Sequence, residues 1–517
     1  MKFPLLETLI LLLATEGFIQ IAEAGDGVPR APDETPNYFQ GEDRQDPNVL
    51  IPGGKARALK QPGLSIFVAD TVVNNTDPSV KKSGALGAEE ISIAVDPKNT
   101  DKIVITSISS GPDATVMLWQ SRDGGVTWNK ELTIDSPRTS GAAGCPCDRT
   151  AGFGQFRDLT GAFLAAPAAN IARTARGELA SPSDSYDDSN MNGFAQPVQF
   201  LAAINNAEQP LVTGRSTSAA GVSKNGSVAN DDFKTTQPVW MAMAAGPDAR
   251  MFAIGNHPTS VAAGAVNLGY RLASDPHSGA IYHLFQHRIK AGAGDSQNID
   301  YMLNRSTDGG ETWELNGSFE GIVVANADST QPRPKFCTVN ASLDGADQAA
   351  VDRQTGDVVY VYGNRDPVTG NNRLAMRRLS GDKHGGLAVG PEVFVTGQVQ
   401  AAIPAVAITS NDSIGVFYYT CDGISFNGFP ILSAHFSVST DQGNSFIDNT
   451  LETFLSPATD DGDPSQRMLG DYMQVKAVGN AFFGGFIGNG VPFGRGISSN
   501  HPIFYKVSVG RKLGLAQ

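Results

Sequence analysis

Ser121-Arg122-Asp123-Gly124-Gly125-Val126-Thr127-Trp128 returns as Ser306-Thr307-Asp308-Gly309-Gly310-Glu311-Thr312-Trp313 and, more loosely, as Ser439-Thr440-Asp441-Gln442-Gly443-Asn444-Ser445-Phe446. The shared pattern is S-x-D-x-G-x-[TS]-[WF], and each position has a mechanical use. The carboxylate can accept the amides of a tight turn, and the glycine can take the positive φ that such a turn demands. The hydroxyl residue opens the outgoing strand, and the aromatic ring can bury itself against a sheet. A motif that recurs along one chain signals a repeat architecture, in which length grows without separate cores.

Upstream of each copy stands a strand-turn-strand shape. Ile93-Ala94-Val95-Asp96-Pro97 leads into Ile103-Val104-Ile105, Ala273-Ser274-Asp275-Pro276 into Ala280-Ile281-Tyr282, and Ala405-Val406-Ala407-Ile408 into Ile414-Gly415-Val416-Phe417. From Asp96 to Asp123, Asp275 to Asp308 and Asp412 to Asp441 the intervals are 27, 33 and 29 residues, room for two intervening strands. Four further copies lack the hairpin motif: Gln155–Asp158 into Ala162–Leu164, Val239–Ala242 into Met251–Ile254, Ala350–Asp352 into Val358–Val361, and Met473–Lys476 into Phe482–Gly485. The turns near Gly246 and Asp275 are only 29 residues apart, short for four strands.

The hairpin motif resembles the Asp-box of the BNR-repeat, sialidase-like proteins. That resemblance covers roughly residues 85 to 510 and implies an all-β fold: one β-propeller of six or seven four-stranded blades, seven being favoured by the number of copies. It places each box between the third and fourth strands of a blade, on the face away from the ligand, so Asp123, Asp308 and Asp441 take no catalytic role. It does not reach the sialidase catalytic set. The Phe/Tyr-Arg-Ile-Pro motif ahead of the first box is missing, and Phe156-Arg157-Asp158-Leu159 lies after the box and lacks the proline.

In such a fold the first strand of each blade lines a central channel, and its starting end opens onto the binding face. That rule nominates Glu89 and Glu90, Asp148 and Arg149, Gln237, Tyr270 and Arg271, Asp347 and Gln348, Gln400, and Asp471 with Tyr472 as mouth residues. If the chain hydrolyses glycans, Asp471 or Asp148 would be the acid and Tyr472 with Glu90 the nucleophile pair. Arg149, Arg157, Arg271 and Arg467 would clamp an acidic group, with Gln237 and Asp347 lining the site. Arg467-Met468-Leu469-Gly470-Asp471-Tyr472 brings an arginine, a carboxylate and a phenol together where the last copy begins, and is the leading site candidate. Three classes stay open: a carbohydrate-active hydrolase or polysaccharide lyase, a non-catalytic propeller that binds a glycan or an extracellular protein, and a structural protein with no small ligand.

The termini and composition frame these readings. Lys2, the apolar run Leu5 to Ile21 and Ala22-Glu23-Ala24 form a signal-peptide pattern over 1–24, which predicts a secreted or periplasmic protein. Residues 25–60 read as an extended arm and 61–512 as the propeller, closed by Leu64–Val68 pairing beside Ile503–Val507. A formal charge of −14 and the lack of a Lys/Arg cluster interleaved with aromatics exclude a nucleic-acid surface. Cys145, Cys147, Cys337 and Cys421 suit an oxidising compartment, with the pairing open. No cofactor is required; Asp184, Asp187 and Asp188, or Asp460, Asp461 and Asp463, offer acidic loops for calcium but match no full calcium-binding loop. Asn74, Asn225, Asn304, Asn316, Asn340 and Asn411 stand in N-x-[ST] tripeptides, of which Asn304 and Asn411 fall inside strand or turn patterns.

Overall fold

The computed structural model describes residues 48–50, 56–77, 80, 89–108, 116–134, 271–275, 278–291, 296–308, 312–330, 335–336, 339–340, 348–382, 385–395, 400–456, 469–470, 472–488 and 500–510, together with the backbone of strands between 146 and 258. They form an all-β structure of seven main sheets. Sheet 1 is Glu89–Val95, Ile103–Ile108, Val116–Ser121 and Asn129–Ile134, antiparallel in that order. The same four-stranded meander is repeated by sheet 4 (Arg271–Ser274, Ile281–Ala291, Ser296–Ser306, Ile322–Thr330), sheet 5 (Gln348–Val351, Val358–Arg365, Asn372–Gly381, Leu387–Phe394) and sheet 6 (Ala401–Ile408, Ile414–Ile424, Pro430–Ser439, Thr450–Leu455). Among the described residues no helix is long and apolar enough to cross a membrane.

These sheets are buried on both faces, which is why their strands read as near-continuous apolar runs rather than strict alternations. In Ile414–Ile424, Val416 and Tyr418 enter one core shared with sheet 5, while Phe417 and Tyr419 enter another shared with sheets 7 and 1. Between sheets 4 and 5 the rings of Tyr301 and Tyr362 lie 4.9 Å apart. Their hydroxyl ends stay polar: Tyr301 donates to the Gly363 carbonyl at 2.7 Å and Tyr360 to the Met302 carbonyl at 3.2 Å. Buried phenols thus weld neighbouring sheets without leaving an unpaired oxygen at these two positions.

The repeated octapeptides stand, as expected, between the third and fourth strands of sheets 1, 4 and 6, and they fold alike. Asp123 Oδ1 accepts the amides of Val126 (3.1 Å) and Thr127 (2.9 Å), and its Oδ2 accepts the Thr127 hydroxyl at 2.6 Å. Asp308 binds the Thr312 amide and hydroxyl at 3.0 and 2.6 Å, and Asp441 binds those of Ser445 at the same distances. Burial pushes the Asp308 carboxyl up, but hydrogen bonds from Thr312 and Ser306 outweigh it and hold it at about 2; Asp123 and Asp441 are lowered by the same balance. The three carboxylates are therefore fixed acceptors at neutral pH, not proton donors. Trp128 and Trp313 are buried, whereas Phe446 of the looser copy is only partly so.

The motif glycines of the first and third copies dock on neighbouring sheets. Gly125, at φ +96, lies so close to Phe504 that a Cβ would sit 2.0 Å from the ring, and Gly443, at φ +91, would place one 2.2 Å from Met376 Cε. Phe504 and Met376 are both on third strands, of sheets 7 and 5. Sheet 7 therefore stands to sheet 1 as sheet 5 stands to sheet 6. Gly125→Ala is expected to cost about 2–4 kcal/mol, because overpacking and a left-handed backbone add. Gly124→Ala, also left-handed but with only Asp101 Oδ1 at 3.4 Å, should cost about 1 kcal/mol. Urea unfolding of the two variants side by side separates packing from backbone strain.

First strands follow one another in the same cyclic order. Those of sheets 1 to 7 each lie against the next, and Val475–Val478 of sheet 7 lies against Glu89–Val95 of sheet 1. Sheet 7 combines both ends of the chain: Val475–Val478, Ala481–Gly488 and His501–Val509 are joined by Leu64–Asp70, which pairs with His501–Val509 from Leu64↔Val509 to Asp70↔Ile503. The arm expected over 25–60 is partly strand, since Ala56–Gln61 and Asn48–Leu50 extend this sheet to six.

Two of the seven strand-turn-strand assignments are corrected. The first strand of sheet 2 is Pro146–Phe153, ahead of Gln155–Asp158, and its second strand Asp158–Ala165 pairs in parallel with Ala195–Ile204. Val239–Ala242 into Met251–Ile254 is the third-to-fourth hairpin of sheet 3, whose first strand is Leu211–Gly214. Any two antiparallel strands flanking a turn have the same period-two pattern, so the local sequence does not number them. The short interval before Asp275 follows at once, because only one crossover separates that hairpin from sheet 4. Asn304 is fully buried in its strand, with its side-chain amide donating to the Phe319 carbonyl at 2.8 Å, so a glycan there is incompatible with the fold.

Candidate functional site

The starting ends of the first strands are locally distorted in a repeated way. In sheet 1, Glu89 pairs with Ile108 and Ser92 with Thr106, so Glu90 and Ile91 together oppose Ser107. In sheet 2, Asp148 and Arg149 oppose Phe163, and in sheet 6, Ile403 and Pro404 oppose Tyr418. These are β-bulges at equivalent positions, a device that re-aims side chains at the rim of a sheet. Glu90 and Ile403 take φ of 49° and 53°, values that ordinary strand residues avoid. Glu90, Asp148 and Arg149 thus occupy one structural position in two sheets; the side chains of Asp148 and Arg149 lie outside the described residues.

Two of the expected residues meet, and a third is buried beside the segment that carries one of them. The guanidinium of Arg271, at the start of sheet 4, lies 5.5 Å from the ring centroid of Tyr472, just ahead of sheet 7, and both residues are only 7% exposed. Sheets 4 and 7 are not neighbours in the cyclic order, so this cation–π contact spans the middle of the molecule. Glu90 is buried beside the same segment, and its amide approaches the Leu469 carbonyl at 3.5 Å. Gly470, at φ +76, makes room for it, since a Cβ there would lie 2.2 Å from Glu90 Cγ. Below this layer Ser92 ties three first strands together, donating to Gln474 Oε1 and accepting the Ala151 amide, each at 2.9 Å. Lys476, two residues further along, has its ammonium pKa lowered by burial.

Asp471, Arg467, Asp347, Gln237 and Tyr270 lie outside the described residues. For Gln237 the placement is nevertheless corrected: the strand it precedes, Trp240–Ala244, is the third of its sheet and not a channel-lining first strand. Gln348 and Gln400 are partly buried, and Gln400 donates from its side chain to Asn371 Oδ1 at 3.1 Å. Of the calcium candidates, Asp187 and Asp188 belong to the strand Tyr186–Asp188 paired with Ala195–Ile204, while Asp184, Asp460, Asp461 and Asp463 are outside the described residues. Among the described residues no group of three or more potential ligands is arranged for a metal ion.

A second feature was not anticipated from the motif analysis. Between sheets 5 and 6 a shallow open cleft is bounded by the hairpin carrying Arg365 and Arg373 and by Ala401–Pro404. Arg365 Nε donates to the Gly370 carbonyl at 2.9 Å; Arg373 pairs with Asp366 at 3.2 Å and covers the Phe394 ring at 4.2 Å. The available signal was Arg365-Asp366-Pro367 mirrored by Asn371-Asn372-Arg373, two cations bracketing one turn.

No family model matches the chain, and no curated protein matches it. Solved structures with a similar course include a protein of unknown function from Dyadobacter fermentans (11% identity, 83% of this chain and 96% of that one, TM-score 0.40). An α-L-arabinanase of Penicillium chrysogenum complexed with arabinobiose shares 11% identity over 82% of this chain and 97% of its own, with a TM-score of 0.38. A polysaccharide lyase, an ulvan lyase, shares 10% over 83% and 96%, with a TM-score of 0.34.

Proposed function

We propose that the chain is a secreted seven-bladed Asp-box propeller of sialidase-like architecture whose mouth binds glycans. The cyclic order of the first strands and the equivalent docking of Gly125 and Gly443 support seven blades closed by Leu64–Asp70. The observation that carries the function is the contact of Arg271 with Tyr472 between two sheets that are not neighbours, with Glu90 buried beside the Leu469–Gly470 segment that leads to Tyr472. A buried cation and a phenol brought together from two sheets, with a buried carboxylate beside the segment that leads to the phenol, are a costly arrangement for a scaffold alone, and they suit a polyhydroxylated ligand with an acidic or ring-oxygen centre. The paired Asp148 and Arg149 occupy the bulge equivalent to that of Glu90, and Asp471 directly precedes Tyr472 in sequence. In a hydrolytic version Tyr472 would be the nucleophile with Glu90 behind it and Asp471 or Asp148 the acid.

Arg271→Met should weaken binding of a responsive glycan by about tenfold or more while leaving the unfolding midpoint nearly unchanged, as loss of a charged anchor does. A glycan panel followed by calorimetry, with reducing-end release and unsaturated product assayed together, is the test. If no member of the panel binds, the reading fails. A second, non-catalytic reading is favoured by one fact: Arg271 and Tyr472 already cover each other, which leaves little open surface at the candidate nucleophile. Binding without any product would select it.

A further inference from the structure

On the face that sheet 6 turns toward sheet 5, the apolar core around Val416 and Tyr418 gives way to a polar relay centred on His435. His435 is 5% exposed and stacks on the Tyr418 ring at 5.0 Å. Its Nδ1 lies 2.9 Å from Asp448 Oδ2, and its Nε2 lies 2.9 Å from the Thr420 hydroxyl. Asp448 Oδ1 also accepts the hydroxyls of Tyr418 and Ser437, at 2.7 and 2.9 Å. Beyond the ring, Thr420 donates to Asp422 Oδ1 at 2.8 Å, and Asp422 Oδ2 accepts the hydroxyl of Ser433, which meets Thr453 at 2.7 Å. The charged residues on the facing side of sheet 5 are Arg365, beside Leu374, and Arg378, opposite Val359. Both are engaged within their own sheet, Arg365 by the Gly370 carbonyl and Arg378 by Asp352 and Asp357.

Only one set of donors satisfies this relay. The exposed Asp422 carboxylate only accepts, so the single hydroxyl proton of Thr420 is committed to it. The contact of Nε2 with Thr420 must then take its proton from the ring. The contact of Nδ1 with Asp448 needs a ring proton too, because Asp448 stays ionised: burial raises its carboxyl, but hydrogen bonds from His435, Tyr418 and Ser437 outweigh that and hold it below the usual range. A bare nitrogen at either place would set one lone pair against another. Asp422 in turn sits at a sensitive point. Cys421 pairs with Leu432 and Gly423 with Ile431, so Asp422 is the extra residue of a β-bulge, placed by its side-chain bonds rather than by the ladder. Thr420 pairs with Ala401 at the mouth end of sheet 6. From the bulge the hairpin runs on to a tight turn. There Ser425 donates its amide to the Phe429 carbonyl at 2.8 Å, Gly428 to the Ser425 carbonyl at 2.9 Å and Phe429 to Ser425 Oγ at 3.0 Å. The ring of Phe426 stands fully exposed at the tip.

We infer that the second ring proton of His435 locks the rim hairpin of residues 421–429 and that its release unlocks it. The imidazolium bridges Asp448 and Thr420 and leaves the Thr420 proton on Asp422. When the ring gives its Nε2 proton to water, Thr420 turns its hydroxyl toward that nitrogen and the bond to Asp422 breaks. The bulge then keeps one of its two side-chain bonds, that of Ser433. The hairpin is therefore fixed on the acid side of the transition and loosened on the alkaline side. The test follows the full chain, with nitrogen-15 in its histidine rings, from about pH 5 to about pH 9. Of the seven histidine signals, that of His435 is the one lost in His435→Gln or moved in Asp448→Asn. It should show both ring nitrogens protonated at neutral pH. As the second proton leaves, amide-exchange protection at Ser425, Gly428 and Phe429, taken relative to the free-chain rate at each pH, should fall at least about tenfold, the effect of losing a hydrogen bond to a charged group. In Thr420→Val that protection should be low at every pH, with the amides of sheet 4 unchanged. A ring with one bare nitrogen at neutral pH overturns the lock, as does hairpin protection that ignores the titration of the ring or survives Thr420→Val.

Discussion

Asp70→Ala is expected to lower the unfolding free energy by about 3–5 kcal/mol, the largest single loss at any polar residue described above. Asp70 ends the strand that the amino-terminal region contributes to sheet 7, and it is completely buried. Its Oδ1 accepts the amides of Val72 and Val73 at 2.7 and 2.9 Å, while its Oδ2 lies 2.5 Å from Nε2 of the equally buried His501. Thr71 adds a hydroxyl bond to the Pro502 carbonyl at 2.9 Å. Removing the carboxylate strands two buried donors and one partly buried donor at the seam where residues 431 apart in sequence are joined. Asp70→Asn keeps one acceptor oxygen and should lose about half as much. Urea unfolding measures the loss, and proteolysis should begin in residues 56–77 of the alanine variant. An alanine variant as stable as the parent would show that the seam does not hold the molecule together.

The second large effect is a dependence on pH carried by His283. This residue is fully buried on sheet 4, stacked at 5.0 Å on Phe285 and edge-on at 6.0 Å to Trp313, and neither ring nitrogen has a hydrogen-bond partner among the described residues. Burial drives its pKa down from the ordinary 6.5 to about 3. Between these values the unfolded chain binds a proton that the folded one refuses. Stability due to this site is thus fully present above pH 6.5 and is lost as pH falls toward 3. At pH 4 the loss should be roughly 3 kcal/mol, from about 1.4 kcal/mol per pH unit. His283→Phe removes the titrating group, so the difference in stability between pH 7 and pH 4 should shrink by that amount. Denaturant titrations of both proteins at the two pH values check it, and an unchanged difference would mean that the histidine meets solvent or a partner when protonated.

Much of the scaffold is legible in the sequence because its instructions are local. Ser121 to Trp128 contains the donors, the acceptor, the positive-φ glycine and the aromatic ring of its own hairpin, and the two later copies contain theirs. The turns at Asp96, Asp275 and Asp352 are equally self-contained; the Asp352 carboxylate, for example, accepts the Gln354 amide at 2.9 Å. The pairing of Leu64–Asp70 with the last strands was foreseeable as well, since an apolar strand before the first repeat has no other edge to cover. Sheets 2 and 3 were misnumbered for the opposite reason. Nothing within Gln155–Asp158 or Val239–Ala242 states which neighbour it will pair with, and the bulges that distort the first strands leave no mark in composition.

The site divides along the same line. Glu90, Arg271 and Tyr472 were nominated from their positions before first strands, but the contact of Arg271 with Tyr472 spans 201 residues of chain and that of Glu90 with Leu469 spans 379. The cleft of Arg365 and Arg373 required the twist of one hairpin against the bulge of the next sheet. The sequence by itself determined the S-x-D-x-G-x-[TS]-[WF] hairpins and the meander they terminate, because short hydrogen bonds within eight residues specify them. Only the tertiary structure decided which strands stand innermost and which charges share the axis. Those relations are set by the packing of whole sheets, each buried on two faces by neighbours far away in the chain.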